Sequence, residues 1–262
     1  MTSTLAPRPV YPTQPKALRA TVEAALKAAP TPDIPGDLFA VIVPDTNNLE
    51  GRETAAAVFA ALREQEAYDT VVLVSPSHSG TFRRMTICSI DEYYTPLGPL
   101  PVSDQVRNEL CDEDDDFYLD DLGHFHTEGV DVQLPYLQTL ITEPFDIVPI
   151  IMGDESPEFC RELGTALGEV MYNRRTLLVV SANLLRMEPG AMEEVIAAFE
   201  AKDVSRLMMI LNGDQLKCEG RGGIVAALIA ALHRRANHAG IIHTKEPTED
   251  QLGFFGAYLS RS

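Results

Sequence analysis

The sequence predicts an α/β protein: a single-domain, three-layer αβα sandwich around a mostly parallel, mixed central sheet. Segments typical of strands and helices alternate along the 262 residues, an order that favours a sheet covered by helices. The strand-like segments are apolar throughout, which indicates strands buried on both faces. No linker-like segment and no internal repeat divides the chain, so we expect one domain over residues 1–262.

The first half of the chain predicts three strands and three helices. Apolar residues recur at helical spacing in KALRATVEAALKAA, and TPDIPGD ends that helix. LFAVIV is a buried strand that runs into the polar loop PDTNNLEG, and a helix over about 52–66 follows. TVVLVS and MTICSI are further strands, and the turn-rich YYTPLGPLPVSD leads to a helix over about 103–111.

The second half predicts the same alternation. VDVQLPYLQTLI is helical and DIVPIIMG is a strand. The next helix begins at Ser156, with Pro157 at its first position, where a missing N–H costs nothing. TLLVVSAN is a strand, and helices over about 189–200 and 204–212 follow it. The loop KCEGRGG then opens the apolar helix IVAALIAALHRRAN, and GFFGAYLS is the last strand.

Composition excludes several classes of protein. The formal net charge of −18 repels phosphate backbones, so we expect no nucleic-acid partner. No apolar run reaches the roughly 18–20 residues of a membrane span, so we expect no membrane association. The N-terminal segment has no basic start followed by an apolar core, which predicts a cytoplasmic protein. The four cysteines form no C-x-x-C pair, so neither a structural zinc site nor a disulfide framework is indicated.

Polar residues stand where several predicted strands end. Asp45 follows LFAVIV, His78 follows TVVLVS, and Asn183 closes TLLVVSAN. The carboxyl ends of parallel strands meet at one edge of a sheet, where α/β proteins bind their ligands. The pattern therefore predicts a pocket at this edge. For His78 the alternative is a loop histidine that bonds only to backbone.

The order of several short motifs resembles that of the Memo family, also known as protein B of the AMMECR1–Memo–radical-SAM gene set. The motifs are RPVYP, VPD…EG, SPSH, TPLGPLPVSD, EGVDVQLPYLQ, IVPIIMG, LLVVSAN, the cysteine of KCEGRGG, and GFFGAYLS. They cover about residues 10 to 259. The resemblance implies the LigB-like fold of class III extradiol ring-opening dioxygenases. It also implies AMMECR1-like or radical-SAM proteins as partners.

Two family positions are kept and several are changed. The family motif P-S-H is present and ends in His78, and the family cysteine is present as Cys218. The histidine of the family motif P-H-A-G-Y is replaced by Asp45. The family motif E-H-S-I-E-x-Q-L-P reads TEGVDVQLP here, with Glu128 in place of the histidine and Asp131 in place of the later glutamate.

The late family motif S-S-D-x-x-H is also altered. It reads SANLLR, so Asn183 and Arg186 replace its aspartate and histidine. Arg186 cannot be a metal ligand because a guanidinium is always charged, and we expect it to pair with Asp45 or Glu128, or with an anionic ligand. The resemblance therefore implies one remodelled pocket, formed by the following residues: Asp45, His78, Glu128, Asp131, Asn183, Arg186 and Cys218.

The resemblance assigns iron or copper to the two early histidines and the cysteine of family members. Here the candidate metal ligands are His78, Cys218 and Asp45, and we expect either no metal or a weakly bound divalent iron, copper or zinc ion. The glycine-rich loop beside Cys218 precedes a helix, so it predicts a lowered thiol pKa and backbone N–H groups that could bind an anion. For Cys218 the alternative is a small, buried apolar residue. His124 and His126 form an H-x-H pair. The two histidines either bind a metal or are surface or supporting residues.

Two functions remain open from the sequence. The first is a binding or scaffold protein with a remodelled pocket and no ring-opening dioxygenase activity. Such activity needs an open Fe(II) held by two histidines and a carboxylate, and only one aligned histidine, His78, is present. The alternative is a metal-dependent redox enzyme that uses the altered His, Cys and carboxylate set.

Overall fold

The protein is described by a computed structural model that covers residues 11–80, 82–113, 115–124 and 128–262. The helices are α1 (Pro15–Ala28), α2 (Leu49–Phe59), α3 (Asp104–Glu113), α4 (Leu134–Leu140), α5 (Pro157–Val170), α6 (Ala191–Glu200), α7 (Val204–Leu211) and α8 (Arg221–His233). The strands are β1 (Asp37–Pro44), β2 (Thr70–Pro76), β3 (Met85–Ile87), β4 (Glu92–Thr95), β5 (Gly98–Pro101), β6 (Phe117–Leu119), β7 (Asp146–Met152), β8 (Thr176–Met187), β9 (Leu216–Glu219), β10 (His238–Lys245) and β11 (Phe254–Arg261).

The central sheet is mixed and has a parallel centre. Its strand order is β10-β11-β1-β8-β2-β7-β3-β6, and β9 pairs with the far end of β8. The four central strands β1, β8, β2 and β7 run parallel. On one side β11 pairs antiparallel with β1 and β10 with β11, and on the other side β3 pairs antiparallel with β7 and parallel with β6. The predicted mostly parallel, mixed sheet is therefore confirmed.

Helices cover both faces of the sheet. Alternate residues of each central strand belong to different cores: in β2, Val72 and Val74 face one core while Val71 and Leu73 face the other. Helices α3, α5, α6, α7 and α8 pack on the first face, and α1, α2 and α4 pack on the second. The apolar strands are thus explained by burial on both sides, and the three-layer prediction is confirmed.

The apolar helix α8 is almost completely buried. Its residues from Ile224 to Leu228 are each at most 1% exposed, because the helix lies between the sheet and the neighbouring α5 and α7. Gly164 of α5 makes the close approach possible, since a Cβ there would overlap Ile229 of α8. In the described ranges of the chain, no helix combines the length and apolarity needed to cross a membrane.

Some elements differ from the sequence predictions. Helix α2 begins at Leu49 instead of about residue 52, because the Asn48 side chain caps it by accepting a hydrogen bond from the N–H of Gly51 at 2.7 Å. The stretch HAGIIHTK is strand β10, which the sequence prediction missed. As an edge strand it is only half-buried, so it lacks the apolar run that marks the central strands.

Candidate functional site

The carboxyl ends of β1, β8, β2 and β7 form one edge of the sheet. Asp45 follows β1 directly, and His78 lies two residues beyond β2. Asn183 lies in β8 just after Ala182, which pairs with Pro44, the residue before Asp45. Because these strands are neighbours, Asp45, His78 and Asn183 are brought together at this edge.

Asn183 fixes the backbone of Asp45. The Asp45 N–H donates to Oδ1 of Asn183 at 3.0 Å, and Nδ2 of Asn183 donates back to the Asp45 carbonyl oxygen at 3.2 Å. Both residues are 4% exposed. This reciprocal pair satisfies backbone groups that the end of β1 would otherwise leave buried without partners. Asn183 therefore orients the loop rather than facing a ligand with its amide.

The centre of the site is an ion pair between His78 and Asp45. Nε2 of His78 lies 2.7 Å from Oδ2 of Asp45. The Asp45 side chain is fully buried, and the His78 side chain is 24% exposed. His78 is therefore the member of the pair that solvent or a ligand can reach, and Asp45 holds its ring from behind.

Both members of the pair have a raised pKa. Burial is the largest cause for Asp45 and raises the pKa of its carboxyl group to about 6, although the contact with His78 acts in the opposite direction. The pKa of His78 is raised chiefly by its hydrogen bond to Asp45, against the effect of burial. The hydrogen bond and the attraction between the two groups therefore favour an imidazolium facing a carboxylate.

Two acidic residues add negative potential around the pair. Glu219 and Glu128 both raise the pKa values of Asp45 and His78 through their charges. Glu219 lies opposite Asn183 in the pairing of β9 with β8, and Glu128 is exposed in the loop before α4. The sequence analysis missed Glu219, although its position next to Cys218 was a usable signal.

A buried hydrogen-bond network supports the pair from below. Nε2 of Gln133 donates to the Pro44 carbonyl oxygen at 2.8 Å and to Oγ of Ser181 at 3.1 Å. Oγ of Ser181 donates to the carbonyl oxygen of Gly129 at 2.9 Å. A Cβ on Gly129 would overlap Oδ1 of Asp45, so only glycine fits there. The sequence analysis missed these residues, because their partners lie far away along the chain.

Cys218 is a buried thiol rather than a reactive one. Burial is the largest cause of its strongly raised pKa, and the charge of Glu155 adds to the effect. Its Sγ makes a weak contact, at 3.4 Å, with the carbonyl oxygen of the next residue, Glu219. The predicted lowering of the Cys218 pKa is therefore wrong. Burial outweighs the helix N-terminus because removing a thiolate from water is costly.

The anion expected at the glycine-rich loop is part of the chain itself. Oε1 of Glu155 accepts a hydrogen bond from the N–H of Gly222 at 2.9 Å, at the beginning of α8. Oε2 of Glu155 lies 3.7 Å from Nη1 of Arg221. The N-terminus of α8 thus holds a carboxylate from the loop after β7, which closes this helix end to an external anion. Glu155 was not predicted from the sequence, because it lies far along the chain from the loop that it contacts.

Arg186 does not form the pair expected with Asp45 or Glu128. Its guanidinium bonds to Glu188 at 2.9 Å, and its side chain is 70% exposed. Residue 186 lies in the last part of β8, which extends beyond the sheet centre and pairs with β9. The expectation of an Arg–carboxylate pair in the pocket is wrong, since a nearby exposed partner costs less desolvation than a buried one.

Asp131 lies in a different polar contact. Its Oδ1 accepts a hydrogen bond from the Tyr93 hydroxyl group at 2.8 Å, and both side chains are buried. Burial is the largest cause of the raised pKa of Tyr93 and of Tyr11, and the charge of Asp131 adds to it. Asp131 therefore anchors the β4–β5 hairpin, through Tyr93, against the second core.

His124 is a buried structural histidine. It is 4% exposed, and its Nε2 lies 3.2 Å from the carbonyl oxygen of Thr86 in β3. Burial lowers its pKa to about 4, so the folded protein holds the neutral ring. His126, the other histidine of the H-x-H pair, lies outside the described residues.

We predict that His124 makes the fold sensitive to acid. Because its folded pKa of about 4 is below its ordinary value of 6.5, the stability it contributes is present above pH 6.5 and is lost as the pH falls towards 4. Relative to His124→Gln, the wild type should lose about 3 kcal/mol of unfolding free energy over that range. Urea denaturation at several pH values measures the difference, with the half-exposed His233→Gln as control; parallel curves for wild type and His124→Gln would contradict it.

The positions of the His, Cys, Asp and Glu side chains determine whether a metal ion fits this site. In the part of the chain that the structure describes, no group of three His, Cys, Asp or Glu side chains is arranged to hold a metal ion. Nε2 of His78 points at Asp45, and Cys218 is a buried thiol with a raised pKa. The described donors therefore do not fit the iron or copper site that the family resemblance implies.

Comparisons with known proteins agree with the motifs. The sequence profile described as "Memo-like protein" matches residues 7–251. A MEMO1 family protein of Saccharolobus solfataricus is 27% identical over 269 residues, covering 94% of this chain and 95% of that protein. A MEMO1 family protein of Nitrosopumilus maritimus is 24% identical over 198 residues, covering 74% of this chain and 72% of the relative.

A solved structure shares the fold. The crystal structure of an uncharacterized protein of Escherichia coli K12 superposes with a TM-score of 0.57 at 13% sequence identity. The match covers 85% of this chain and all of that protein. At this identity the likeness concerns the fold alone.

Proposed function

This chain belongs to the Memo family, and we propose that it is a binding protein whose remodelled pocket performs no ring-opening dioxygenation. The observation that carries the proposal is the His78–Asp45 ion pair, 2.7 Å between Nε2 and Oδ2, at the carboxyl edge of the sheet. A ring-opening iron site needs two histidines and a carboxylate with open positions. Here the one aligned histidine is paired with the residue that replaces the other.

The pair suits reversible binding. Asp45 and its loop are held rigidly by Asn183 and by the Gln133 network, whereas His78 is partly exposed. A buried carboxylate held in place behind a reachable imidazole gives a fixed polar contact for a ligand. The negative charges of Glu128 and Glu219 beside it disfavour anionic ligands and favour neutral or cationic ones.

A scaffold role with AMMECR1-like or radical-SAM partners, in the cytoplasm, belongs to the same proposal. Its support is the association of these proteins with the family. Co-purification of a tagged chain from cells that also express such a partner tests it, with cell fractionation for the location. The His78→Ala variant distinguishes a partner that contacts the pocket from one that binds elsewhere.

A metal-dependent redox enzyme is the second candidate. The observation in its favour is Oδ1 of Asp45, which is buried and has no hydrogen-bond partner among the described residues. A divalent ion near His78 and Asp45 would satisfy that oxygen, and Cys218 would have to lose its proton to join them. The raised pKa of Cys218 opposes this step.

Metal analysis decides between the two candidates. We expect protein purified without oxygen to contain well under one equivalent of iron, copper or zinc, and calorimetric titration of each metal into the protein to show weak binding. We also expect no ring opening of catechol substrates. Near-stoichiometric metal that survives dialysis, and that is lost in both His78→Ala and Cys218→Ser, would favour the redox enzyme instead. Cys111→Ser, at a partly buried cysteine outside the site, is the matched control.

A further inference from the structure

The outer surface between α1 and α2 contains a groove of about 780 Å³ that shares no lining residue with the His78–Asp45 site. Its walls are mostly methyl groups, and six alanines line it: Ala20, Ala24, Ala25, Ala28, Ala29 and Ala57. Leu49, at the beginning of α2, adds an exposed apolar side chain. Pockets of roughly 300–1,000 Å³ with apolar walls and few polar groups are the usual sites of small organic ligands.

Arg52 of α2 is the cation of this groove, and its charge is not matched by the protein. Its Nε is buried and has no hydrogen-bond partner, and no carboxylate in the described ranges lies within ion-pair distance of its guanidinium. Nε of Arg107 is likewise buried without a hydrogen-bond partner, but Arg107 and Arg174, which are also partly or fully buried, each bond to a carboxylate. In a chain with a net charge of −18, a partly buried arginine in the wall of a groove without an acidic partner favours an external anion.

We propose that the groove binds an amphipathic monocarboxylate, with its carboxylate on Arg52 and its alkyl chain along the alanine walls. The two Nη groups of a guanidinium offer parallel N–H donors that match a carboxylate, and in Arg52 they, unlike the buried Nε, are not enclosed by the protein. A single negative charge is favoured over a dianionic phosphate, because the net charge of −18 and the lining residue Glu53 repel a second charge. The methyl walls offer apolar surface and little hydrogen bonding, which suits a hydrocarbon chain.

Dodecanoate, used below its micelle concentration, is the probe. The chain has no tryptophan, so Leu49→Trp at the 65% exposed rim position gives a single fluorescence reporter, and calorimetry on the wild type gives an independent measurement. We expect saturable binding at one site. Dodecanol and dodecyltrimethylammonium, which keep the chain and change the head, should bind roughly tenfold or more weakly. Acetate, which keeps only the head, should not bind measurably.

Variants separate the head contact from the groove. Arg52→Gln should weaken dodecanoate binding roughly tenfold or more, whereas Arg19→Gln, an exposed arginine of α1 outside the groove, should leave it unchanged. Ala24→Trp fills the groove from an exposed position and should abolish binding while keeping the wild-type circular dichroism.

Three binding results would overturn the proposal, and so would one result on the oligomeric state. The binding results are absence of saturable dodecanoate binding, equal affinity for dodecanol and dodecanoate, and equal affinity of Arg52→Gln and wild type. A concentration-dependent dimer that Ala24→Trp dissociates, without dodecanoate binding, would assign the groove to a second copy of the chain and also overturn it. Because no residue is shared with the His78 site, these outcomes are independent of the metal analysis.

Discussion

Gly129→Ala is expected to break up the His78–Asp45 site and to lower the free energy of unfolding by about 3 kcal/mol or more. A Cβ at position 129 would overlap Oδ1 of Asp45 and Oγ of Ser75, which are both buried. Neither side can yield easily, because Ser181 holds the Gly129 carbonyl oxygen and Asn183 holds the Asp45 backbone. Overpacking and the displacement of the buried ion pair therefore both lower the free energy of unfolding. Urea denaturation followed by circular dichroism measures the loss.

Gly213→Ala is the control for the added methyl group. Gly213 is exposed in the turn after α7, where a Cβ would come no closer than 3.3 Å to a neighbouring backbone oxygen. Its effect should stay within about 1 kcal/mol. If Gly129→Ala lowered the free energy of unfolding no more than Gly213→Ala does, the close packing of Asp45 against Gly129 would be wrong.

The free energy of unfolding of the wild type is expected to fall as the pH rises, and Asp45→Asn is expected to abolish this fall. The folded pKa of Asp45, about 6, is above its ordinary value of 3.8, so its contribution is present below pH 3.8 and is lost as the pH rises through 6. The raised pKa of His78 extends the loss above its ordinary value of 6.5. Relative to Asp45→Asn, the wild type should lose about 3 kcal/mol between roughly pH 4 and neutrality.

Denaturation curves across this pH range test the stability effect, and the difference between the two proteins cancels the general effect of the acidic surface. Asp69→Asn, which breaks the exposed Asp69–Arg175 pair, is the matched control and should shift stability by less than about 1 kcal/mol. NMR titration of the His78 ring gives a second readout. Its pKa should fall in Asp45→Asn, because its main cause is removed. An unchanged His78 titration would show that the ion pair does not form in solution.

The fold could be predicted where the signal was local. Runs such as TVVLVS and TLLVVSAN have an unbroken apolar stretch because they lie in the sheet centre, where every position is buried, and they were found. Strand β10 was missed because it lies at the edge and is only half-buried. Strand β9 was taken as a loop. It has only four residues, which pair with the projecting end of β8, and these are too few to show the hydrophobic pattern of a strand.

The site could be predicted only in part. The ends of the apolar runs and the family motifs singled out Asp45, His78 and Asn183, and the structure places the three in one hydrogen-bonded and ion-paired group. The supporting residues Gln133 and Ser181 were not found. Their bonds join positions 48 or more residues apart, and no single-sequence pattern marks such pairs.

The sequence by itself determined which residues lie at the strand ends, because each apolar run ends where its strand leaves the part of the sheet that is buried on both faces. The tertiary structure alone decided their charge states and partners. It made Cys218 a buried thiol with a raised pKa, gave Arg186 the exposed partner Glu188, and placed Glu155 on the N-terminus of α8. The physical reason is that solvation and Coulomb energies depend on burial and on distances through space, which packing sets and residue order does not.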